Sequence, residues 1–390
     1  MLNTTSNVLN VLRTEYSAFA DLTIPSRKTG PPHSLSAYNS HNLQVRKINF
    51  IMIAGSSIAS TRNKYYTVGI TGSGGLIGTA LRDELSRREI VSGKPVRIVR
   101  LSRGNVVEPK GLEDKPGEIS LQWNPAATTP DGVISQSALA EMDAIVHLSG
   151  EKVMTKWTEE NKAEILNSRV NTTSALANAL AASSLEHPVT FLTASGMGVY
   201  GIKFLGNAVE AVDEYSDVSS NEGFAAEVAR KWEAASSPAK RNKNIRVVNL
   251  RCGAIISTKG GMLANSLIYK LGIGGKIGSG DQYLSFASAR DNARAIVHIL
   301  ETPALEGPVN ICAPNPCTNA EFTSALGKIL GRPTFLPMPS FVVSALFGEA
   351  GKEMMLGGVR MMPTKLTRSG FQFKHPTIVE ALHSALNESI

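Results

Sequence analysis

The sequence has few of the features that mark secreted and metal-binding proteins. Its 390 residues include only three cysteines. Cys252, Cys312 and Cys317 form no Cys-x-x-Cys pair, and no histidine stands beside them at a metal-ligand spacing. We therefore expect reduced thiols in a reducing compartment, with no disulfide framework and no metal site.

Long hydrophobic runs are also lacking. No apolar run reaches the roughly 18 residues that a membrane-spanning helix needs. The longest candidate, residues 48–59, is interrupted by Gly55, Ser56 and Ser57. With 42% hydrophobic and 19% charged residues, the composition is that of an ordinary globular protein. We expect a chain that does not span a membrane and that buries a sizeable core.

Acidic residues are scarce at the start of the chain. Residues 1–64 hold seven Lys or Arg but only Glu15 and Asp21, so they contribute +5 of the net charge of +7. The remaining body is nearly neutral and offers no basic stripe for phosphates, which argues against nucleic-acid binding. The first segment is also rich in Ser, Thr and Asn, as organellar transit peptides are. A disordered tail without an address is the alternative.

From residue 65 onwards, short apolar runs alternate with longer amphipathic ones. We predict strands at residues 67–71, 96–101, 144–148, 190–194, 245–251 and 308–312. We predict helices at residues 76–88, 135–141, 158–182, 224–236, 263–270 and 291–301. This alternation predicts an α/β fold, a Rossmann-type doubly wound parallel sheet covered on both faces. Residues 110–132 are broken by Pro and Gly and are predicted to form a loop crossing the sheet edge.

The character of the chain changes after Gly331. Pro333, Pro337 and Pro339 precede a pair of apolar helices, and a last helix is predicted at residues 377–386. We therefore divide the chain into a transit or disordered segment (1–64), a dinucleotide-binding domain (65–332) and a small C-terminal helical appendage (333–390).

A glycine-rich loop follows the first predicted strand, in the pattern TGxxGxxG. Gly72 allows the tight turn after Thr71, Gly75 lets the backbone approach a pyrophosphate, and Gly78 lets the next helix lie close to the strand. That helix begins with Leu76 and Ile77, and its N-terminal N–H groups suit phosphates. The strand–loop–helix context makes dinucleotide binding the favoured interpretation.

The end of the second strand favours NADP(H) over NAD(H). NAD sites usually place Asp or Glu there to hold the ribose 2′-hydroxyl. Here the residues are Ser102 and Arg103, and no acid is present. Arg103 could bind a 2′-phosphate with two hydrogen bonds while Ser102 donates another. A solvated loop arginine is the alternative.

Several segments resemble the extended and atypical short-chain dehydrogenase/reductases. They are the glycine loop, residues 147–151 (HLSGE) and residues 194–201 (ASGMGVYG). Residues 156–158, 167–169, 232–235, 271–280 and 356–363 are more specific and are similar to the 39U-type "epimerase family" proteins. The resemblance covers about residues 67–386 and includes bacterial members and a plant plastid-division protein.

The resemblance implies an NADP(H) cofactor and a small C-terminal domain of unknown function. It also implies that Leu148, Ser149, Gly150 and Glu151 line the adenine-ribose side of the site. Arg169 could reach the cofactor from the following helix, or could be a surface arginine. The plant member favours a plastid over a mitochondrion, with a cytoplasmic location as the alternative.

The usual acid/base pair of these reductases and epimerases is missing. They use a Ser together with a Tyr followed four residues later by Lys. Ser195 fits the Ser position, but Phe224 or Ala225 stands where the Tyr should be, and no such Tyr–Lys pair occurs anywhere in the chain. Tyr200 is the nearest phenol, with packing as the alternative to catalysis.

A second departure lies at residues 283–291. The family usually has Trp, His and a second acid there, whereas this chain has Phe286, Ser288 and Arg290. Asp291 remains and is predicted to be a helix N-cap. The family's unidentified substrate is therefore no guide to the substrate of this chain.

Two functions of different class remain open. The first is an NADP(H)-dependent oxidoreductase or epimerase-like enzyme acting on an unknown small molecule, in which the cofactor supplies hydride chemistry. The second is a non-catalytic NADPH-binding factor that acts in organelle division or biogenesis through protein partners. The intact glycine loop supports both.

Overall fold

The computed structural model describes residues 64–109, 112, 116–202, 210–264 and 266–387. The predicted transit segment therefore lies, apart from Lys64, outside the described residues.

Twelve strands are assigned in the described ranges. They are β1 (Tyr66–Thr71), β2 (Ile90–Val91), β3 (Lys94–Arg103), β4 (Gly117–Trp123), β5 (Ala144–His147), β6 (Val189–Gly196), β7 (Ile245–Cys252), β8 (Ala254–Ile256), β9 (Tyr283–Leu284), β10 (Phe286–Ser288), β11 (Gly307–Ile311) and β12 (Cys317–Thr318).

Eleven α-helices accompany these strands. They are α1 (Leu76–Arg88), α2 (Pro130–Val133), α3 (Gln136–Ala140), α4 (Glu159–Ala182), α5 (Phe224–Ala235), α6 (Leu267–Lys270), α7 (Ala289–Glu301), α8 (Asn319–Leu330), α9 (Ser340–Gly351), α10 (Thr364–Arg368) and α11 (Ile378–Asn387). A π-helical turn, Lys352–Leu356, follows α9. Short 3-10 turns lie at Met197–Tyr200, Ser237–Arg241 and Gly261–Leu263.

Seven parallel strands form the main sheet, in the order β11-β7-β6-β5-β1-β3-β4. The short strand β2 is antiparallel to β3. The strand order reverses between β1 and β5, because the chain proceeds to β3 and β4 on one side and to β6, β7 and β11 on the other. In open α/β sheets, ligands bind beyond the carboxyl ends of the strands at such a reversal.

Helices cover both faces of the sheet, which explains why its strands are nearly continuous apolar runs. On one face, Leu81 and Leu85 of α1 are fully buried against Ile70 of β1, together with the buried side of α7. On the other face, Leu176 and Leu180 of α4 pack in a second core with residues of β3, β5, β6 and β7. The predicted doubly wound parallel sheet is thus confirmed.

Two predicted elements were wrong. Residues 110–132, predicted to be a loop, contain the strand β4, which pairs in parallel with β3 from Arg97↔Gly117 to Arg103↔Trp123. The predicted helix at residues 263–270 is divided into the 3-10 turn Gly261–Leu263 and the four-residue helix α6.

The C-terminal helices share the core of the sheet. Leu366 of α10 and Phe371 belong to the same buried cluster as residues of β1 and α7. On α11, Ile378 and Leu382 are buried with Phe322 of α8. The predicted small helical region is therefore present, and its apolar side chains complete clusters that begin in the sheet.

In the part of the chain that the structure describes, every helix is too short or too polar to span a bilayer. In the same part of the chain, no group of three or more His, Cys, Asp or Glu side chains could hold a metal ion.

Candidate functional site

The glycine loop joins β1 to α1 at the point where the strand order reverses. Gly72 has φ +64°, and the Gly75 N–H donates to the Gly72 carbonyl over 3.0 Å. A Cβ at Gly72 would lie 2.8 Å from the Leu148 carbonyl, and a Cβ at Gly78 only 2.3 Å from the Gly72 oxygen. Only glycine fits these two positions, and the loop backbone is left bare.

The first turn of α1 is suited to bind phosphate. Gly75 is the N-cap and provides no side-chain hydrogen bond, and no acidic residue occupies the first turn. The unpaired N–H groups and the positive end of the helix dipole therefore face the loop without a competing carboxylate. The residues present fit the pyrophosphate of a dinucleotide.

Thr71 is fixed by a buried histidine. The Thr71 Oγ1 lies 2.7 Å from Nδ1 of His147 and accepts the Leu148 N–H over 3.2 Å. The other ring nitrogen of His147 lies 3.1 Å from Oγ1 of Thr172 on α4. Burial lowers the pKa of His147 to about 3, so the ring is neutral and links the glycine loop to α4.

The end of β3 presents one well-exposed arginine. The Arg103 side chain is 70% exposed, and its Nη2 lies 3.9 Å from Oε1 of Glu151, which is 44% exposed. Ser102 is exposed as well, and its hydroxyl donates to the Leu121 carbonyl over 3.3 Å. The structure thus brings together Ser102 and Arg103 from one predicted subsite and Glu151 from the other.

The loop after β5 holds Leu148, Ser149, Gly150 and Glu151, and α4 supports it. The Glu151 N–H donates to Oγ of Ser168 over 3.1 Å, and Nη2 of Arg169 donates to the Glu151 carbonyl over 2.7 Å. A Cβ at Gly150 would lie 3.2 Å from the Arg169 guanidinium carbon, so glycine permits this close contact.

Arg169 is a supporting residue in this structure and no surface arginine. Besides Glu151, it donates to the Ile165 carbonyl over 3.0 Å, and its guanidinium lies 5.0 Å from the centre of the Trp232 ring. Burial lowers its pKa to about 10, a shift that the nearby Glu151 opposes. Its predicted contact with a cofactor stays a prediction.

Ser195 lies at the end of β6 and is bonded to a carboxylate. Its Oγ donates to Oε1 of Glu233 on α5 over 2.9 Å. Glu233 also receives two hydrogen bonds from the Arg251 guanidinium, at 2.8 and 2.9 Å. Only 5% of the Arg251 side chain and 14% of the Glu233 side chain are exposed, so Ser195 belongs to a largely buried ion pair.

Tyr200 belongs to the same network. Its hydroxyl donates to Oδ1 of Asn310 over 2.7 Å and accepts from Nη1 of Arg251 over 3.0 Å. Burial raises the pKa of Tyr200 to about 12, although the Arg251 charge acts in the opposite direction. The phenol is therefore neutral, buried and fully engaged, which supports the packing alternative.

An apolar ring and a carboxylate occupy the start of α5, where a tyrosine was expected. The Phe224 ring packs edge to face on Trp157 with centroids 4.8 Å apart. The two carboxylate oxygens of Glu353 accept the backbone N–H groups of Phe224 and Ala225, each over 3.0 Å. The π-helical turn thus supplies the cap that Gly223 lacks.

The prediction that Asp291 is an N-cap was wrong. The N-cap of α7 is Ser288, whose Oγ accepts the Asp291 N–H over 3.0 Å. The Asp291 carboxylate instead accepts the backbone N–H groups of Lys374 and His375, over 3.1 and 2.7 Å, and pairs with Arg294. Asp291 therefore fastens the C-terminal segment to α7.

Sequence reasoning missed three charged residues that organise this region. Glu233 and Arg251 lie 18 positions apart, and Glu353 is more than 120 positions from the helix that it caps. Glu233 belongs to the family-like segment 232–235, but nothing in that segment marks its ion pair. Charged side chains are buried only when they are paired, and the tertiary fold alone brings these partners together, so the sequence holds no local signal for them.

The fold and the glycine loop define a dinucleotide-binding α/β protein of the short-chain dehydrogenase/reductase class. The model of the NAD dependent epimerase/dehydratase family matches residues 68–312, and that of a domain of unknown function (DUF1731) matches residues 338–385. The chain belongs to the NAD dependent epimerase/dehydratase family, a family of NAD(P)-binding proteins.

Curated relatives are similar over most of the chain. An epimerase family protein of Mycobacterium bovis is 38% identical over 81% of this chain and 96% of its own length. The human epimerase family protein SDR39U1 is 32% identical over 80% and 97%. The Arabidopsis thaliana homologue of SDR39U1, described as chloroplastic, is 30% identical over 84% and 89%. The 39U-type resemblance is confirmed.

Solved structures share the fold. The crystal structure of human SDR39U1 (isoform 2) with NADPH has a TM-score of 0.66 and 30% identity, covering 82% of this chain and 99% of that one. A UDP-glucuronic acid 4-epimerase of Bacillus cereus, solved with UDP-glucuronic acid and NAD, has a TM-score of 0.61 at 18% identity, over 83% of this chain and 100% of that one. The second likeness shows the fold alone.

Proposed function

We propose that this chain binds NADP(H) and works as an oxidoreductase or epimerase-like enzyme on a small molecule. The observation that carries the proposal is the exposed pair Ser102 and Arg103 at the end of β3. The pair follows a glycine loop that has no room for side chains at Gly72 and Gly78. A 2′-phosphate matches a guanidinium in charge and in geometry. The human relative solved with NADPH supports the same cofactor.

The acid on the neighbouring strand β4 is already bonded to arginines, which is consistent with NADP(H). On β4, Glu118 is held by Arg82 through two hydrogen bonds of 2.8 Å and by Arg100 over 3.3 Å. No acid stands at the end of β3 itself to accept a ribose 2′-hydroxyl, as NAD sites usually require.

Titration of the full chain with NADPH and NADH tests the cofactor. We expect tighter binding of NADPH, and we expect Arg103→Gln to weaken NADPH by about tenfold or more while changing NADH little, since a charged hydrogen bond is worth about 1.5–3 kcal/mol. Arg241→Gln is the matched control, because Arg241 is exposed on the 3-10 turn after α5 and bonds to Asn178. Tighter binding of NADH would overturn the assignment.

In the enzymatic proposal, a bound nicotinamide would supply the hydride chemistry and the chain would orient it. Ser195 and Tyr200 are the polar groups predicted for the substrate side. Both hydroxyl protons are already donated, to Glu233 and to Asn310. Proton exchange with a substrate would therefore pass through Ser195 and Glu233, since the Tyr200 phenol is buried and its pKa is raised.

A second candidate is a non-catalytic NADP(H)-binding factor, in which a protein partner would replace the substrate. The packing of Phe224 against Trp157, in the place expected for the catalytic tyrosine, favours it. A crystal structure of the NADPH complex separates the two candidates. A closed cavity above C4 of the nicotinamide with Ser195 at its wall supports the enzyme, whereas a filled or open surface supports the binding factor.

We further propose that residues 1–64 direct the chain to an organelle, with a plastid favoured. The support is their basic, acid-poor composition and the Arabidopsis relative described as chloroplastic. A fusion of residues 1–64 to a fluorescent reporter tests this in plant cells. Plastid fluorescence is the expected result, and a cytosolic signal would contradict it.

A further inference from the structure

The carboxylate of Glu151 points at the one arginine that the NADP(H) proposal assigns to the 2′-phosphate. Its Oε1 lies 3.9 Å from Nη2 of Arg103, and no other ion pair of Arg103 is formed within the described residues. Glu151 comes from the loop after β5 and Arg103 from the end of β3, so the pair bridges the two sides of the crevice at the sheet's reversal point.

The main chain of Glu151 is fixed at both of its polar groups. Its N–H is bonded to Ser168 and its carbonyl to Arg169, both on α4, while its side chain stays 44% exposed. Arg169 is itself held by the Ile165 carbonyl and the Trp232 ring. The main chain that carries the carboxylate is therefore anchored to α4, and from this position the side chain comes within 3.9 Å of Arg103.

We propose that Glu151 sets the cofactor preference of this site, because its carboxylate competes with the 2′-phosphate of NADP(H) for Arg103. The inference rests on the proposed NADP(H) function and adds to it a residue that lowers the preference for NADP(H). A 2′-phosphate brings about two negative charges, and two of its oxygens can accept hydrogen bonds from the planar guanidinium, so it displaces the single contact to Glu151. The displaced carboxylate then faces the phosphate and repels it.

The same carboxylate has a different relation to NADH. A ribose 2′-hydroxyl carries no charge and donates a hydrogen bond, which a carboxylate accepts. Glu151 therefore favours NADH relative to NADPH, while Arg103 has the opposite effect. The cofactor preference of the chain is the balance between these two residues.

Binding titrations of the full-length chain with NADPH and with NADH, at low ionic strength, test the inference. We expect Glu151→Gln to tighten NADPH about two- to fivefold, as expected from an exposed ion pair, and to change NADH less than about twofold. Glu151→Lys should tighten NADPH further. Both gains should shrink at about 1 M salt, where exposed charges are screened.

Two further variants make the result specific. Glu227→Gln removes an exposed carboxylate that pairs with Lys231 on α5, so it changes the net charge equally while the Glu151–Arg103 pair stays intact, and NADPH affinity should stay the same. In an Arg103→Gln background, Glu151→Gln should tighten NADPH less than in the native chain, since the shared partner is gone.

The possible results separate this inference from the cofactor proposal. If the native chain binds NADPH and Glu151→Gln leaves the affinity unchanged or weakens it, the role of Glu151 is overturned and the NADP(H) proposal stands. If the native chain binds neither nucleotide, or prefers NADH, the cofactor proposal itself fails. A gain equal to that of Glu227→Gln would reduce the effect to net charge and would also overturn the inference.

Discussion

At the scale of single residues, buried polar groups carry the strongest constraints in this protein. His147 contacts a hydroxyl with each ring nitrogen and has no access to water. Its pKa in the folded chain is about 3, against about 6.5 for a free histidine. Below pH 6.5 the unfolded chain binds a proton that the folded chain excludes, so stability is lost as the pH falls from 6.5 towards 3.

We therefore expect His147→Gln to flatten the pH dependence of stability. In urea unfolding, the free energy of unfolding of the native chain should be lower at pH 5 than at pH 7, by an amount that corresponds to the uptake of at most one proton. The variant should lose less over the same pH range. At pH 7 the variant should be less stable by about 1–3 kcal/mol, because a buried hydroxyl loses its partner. His383→Gln, at an exposed position of α11, is the control and should follow the native profile.

Parallel stability profiles of the native chain and His147→Gln would contradict this account. Histidines outside the core are common to both chains, so they cancel in the comparison.

The residue scale also shows what the sequence could reveal. The three loop glycines could be recognised from the TGxxGxxG pattern. The structure gives the physical reason for two of them, because Gly72 and Gly78 have no room for a Cβ. The sequence could not reveal Glu233, Arg251 and Glu353. Their partners are brought to them by the tertiary fold, so no local spacing marks the contacts.

At the scale of elements, strongly periodic segments were predictable and weakly patterned ones were not. Helix α1 has the bounds predicted for it, since its apolar positions recur at helical spacing and a glycine precedes it. Strand β4 was missed because it is a short edge strand with four exposed positions, and the Pro and Gly residues around it outweighed its brief alternation of polar and apolar residues. The start of α8 has a capping box of Thr318 and Glu321, a spacing that is visible in the sequence.

Helix α5 is the element that depends most on a distant residue. Its N-cap, Gly223, has φ +100° and no capping side chain, and the Glu353 carboxylate satisfies the first two N–H groups instead. A carboxylate at this end of a helix also meets the positive end of the dipole.

We expect Glu353→Ala to lower the free energy of unfolding by about 0.5–2 kcal/mol, the usual effect of losing an N-terminal cap. Glu349→Ala is the matched control, since Glu349 precedes the same turn and forms an ion pair with Lys162 over 2.6 Å at a partly exposed site. That variant should lose less than about 1 kcal/mol. Equal losses, measured by urea unfolding, would argue against a capping role for Glu353.

At the scale of the whole molecule, side-chain contacts join the two regions that the family models match, residues 68–312 and 338–385. Asp291 holds the backbone of Lys374 and His375, and Glu353 holds the start of α5. The Ser285 hydroxyl donates to the Val359 carbonyl over 2.7 Å and accepts the Met361 N–H over 2.7 Å. These polar contacts run in both directions between residues 65–332 and the C-terminal region.

The apolar contacts lead to a prediction about the boundary placed after residue 332. Leu366 and Leu382 are fully buried, and Phe371 and Ile378 are less than 10% exposed, in clusters shared with the sheet and with α8. Each such side chain contributes about 1.5–3 kcal/mol, so the four together are comparable to the whole stability of a domain, about 5–15 kcal/mol. We expect the full chain to unfold in one cooperative transition and a chain ending at residue 332 to show none. Calorimetry measures both, and two separate transitions in the full chain, or a cooperative transition in the shortened one, would mean that residues 333–390 are an independent appendage.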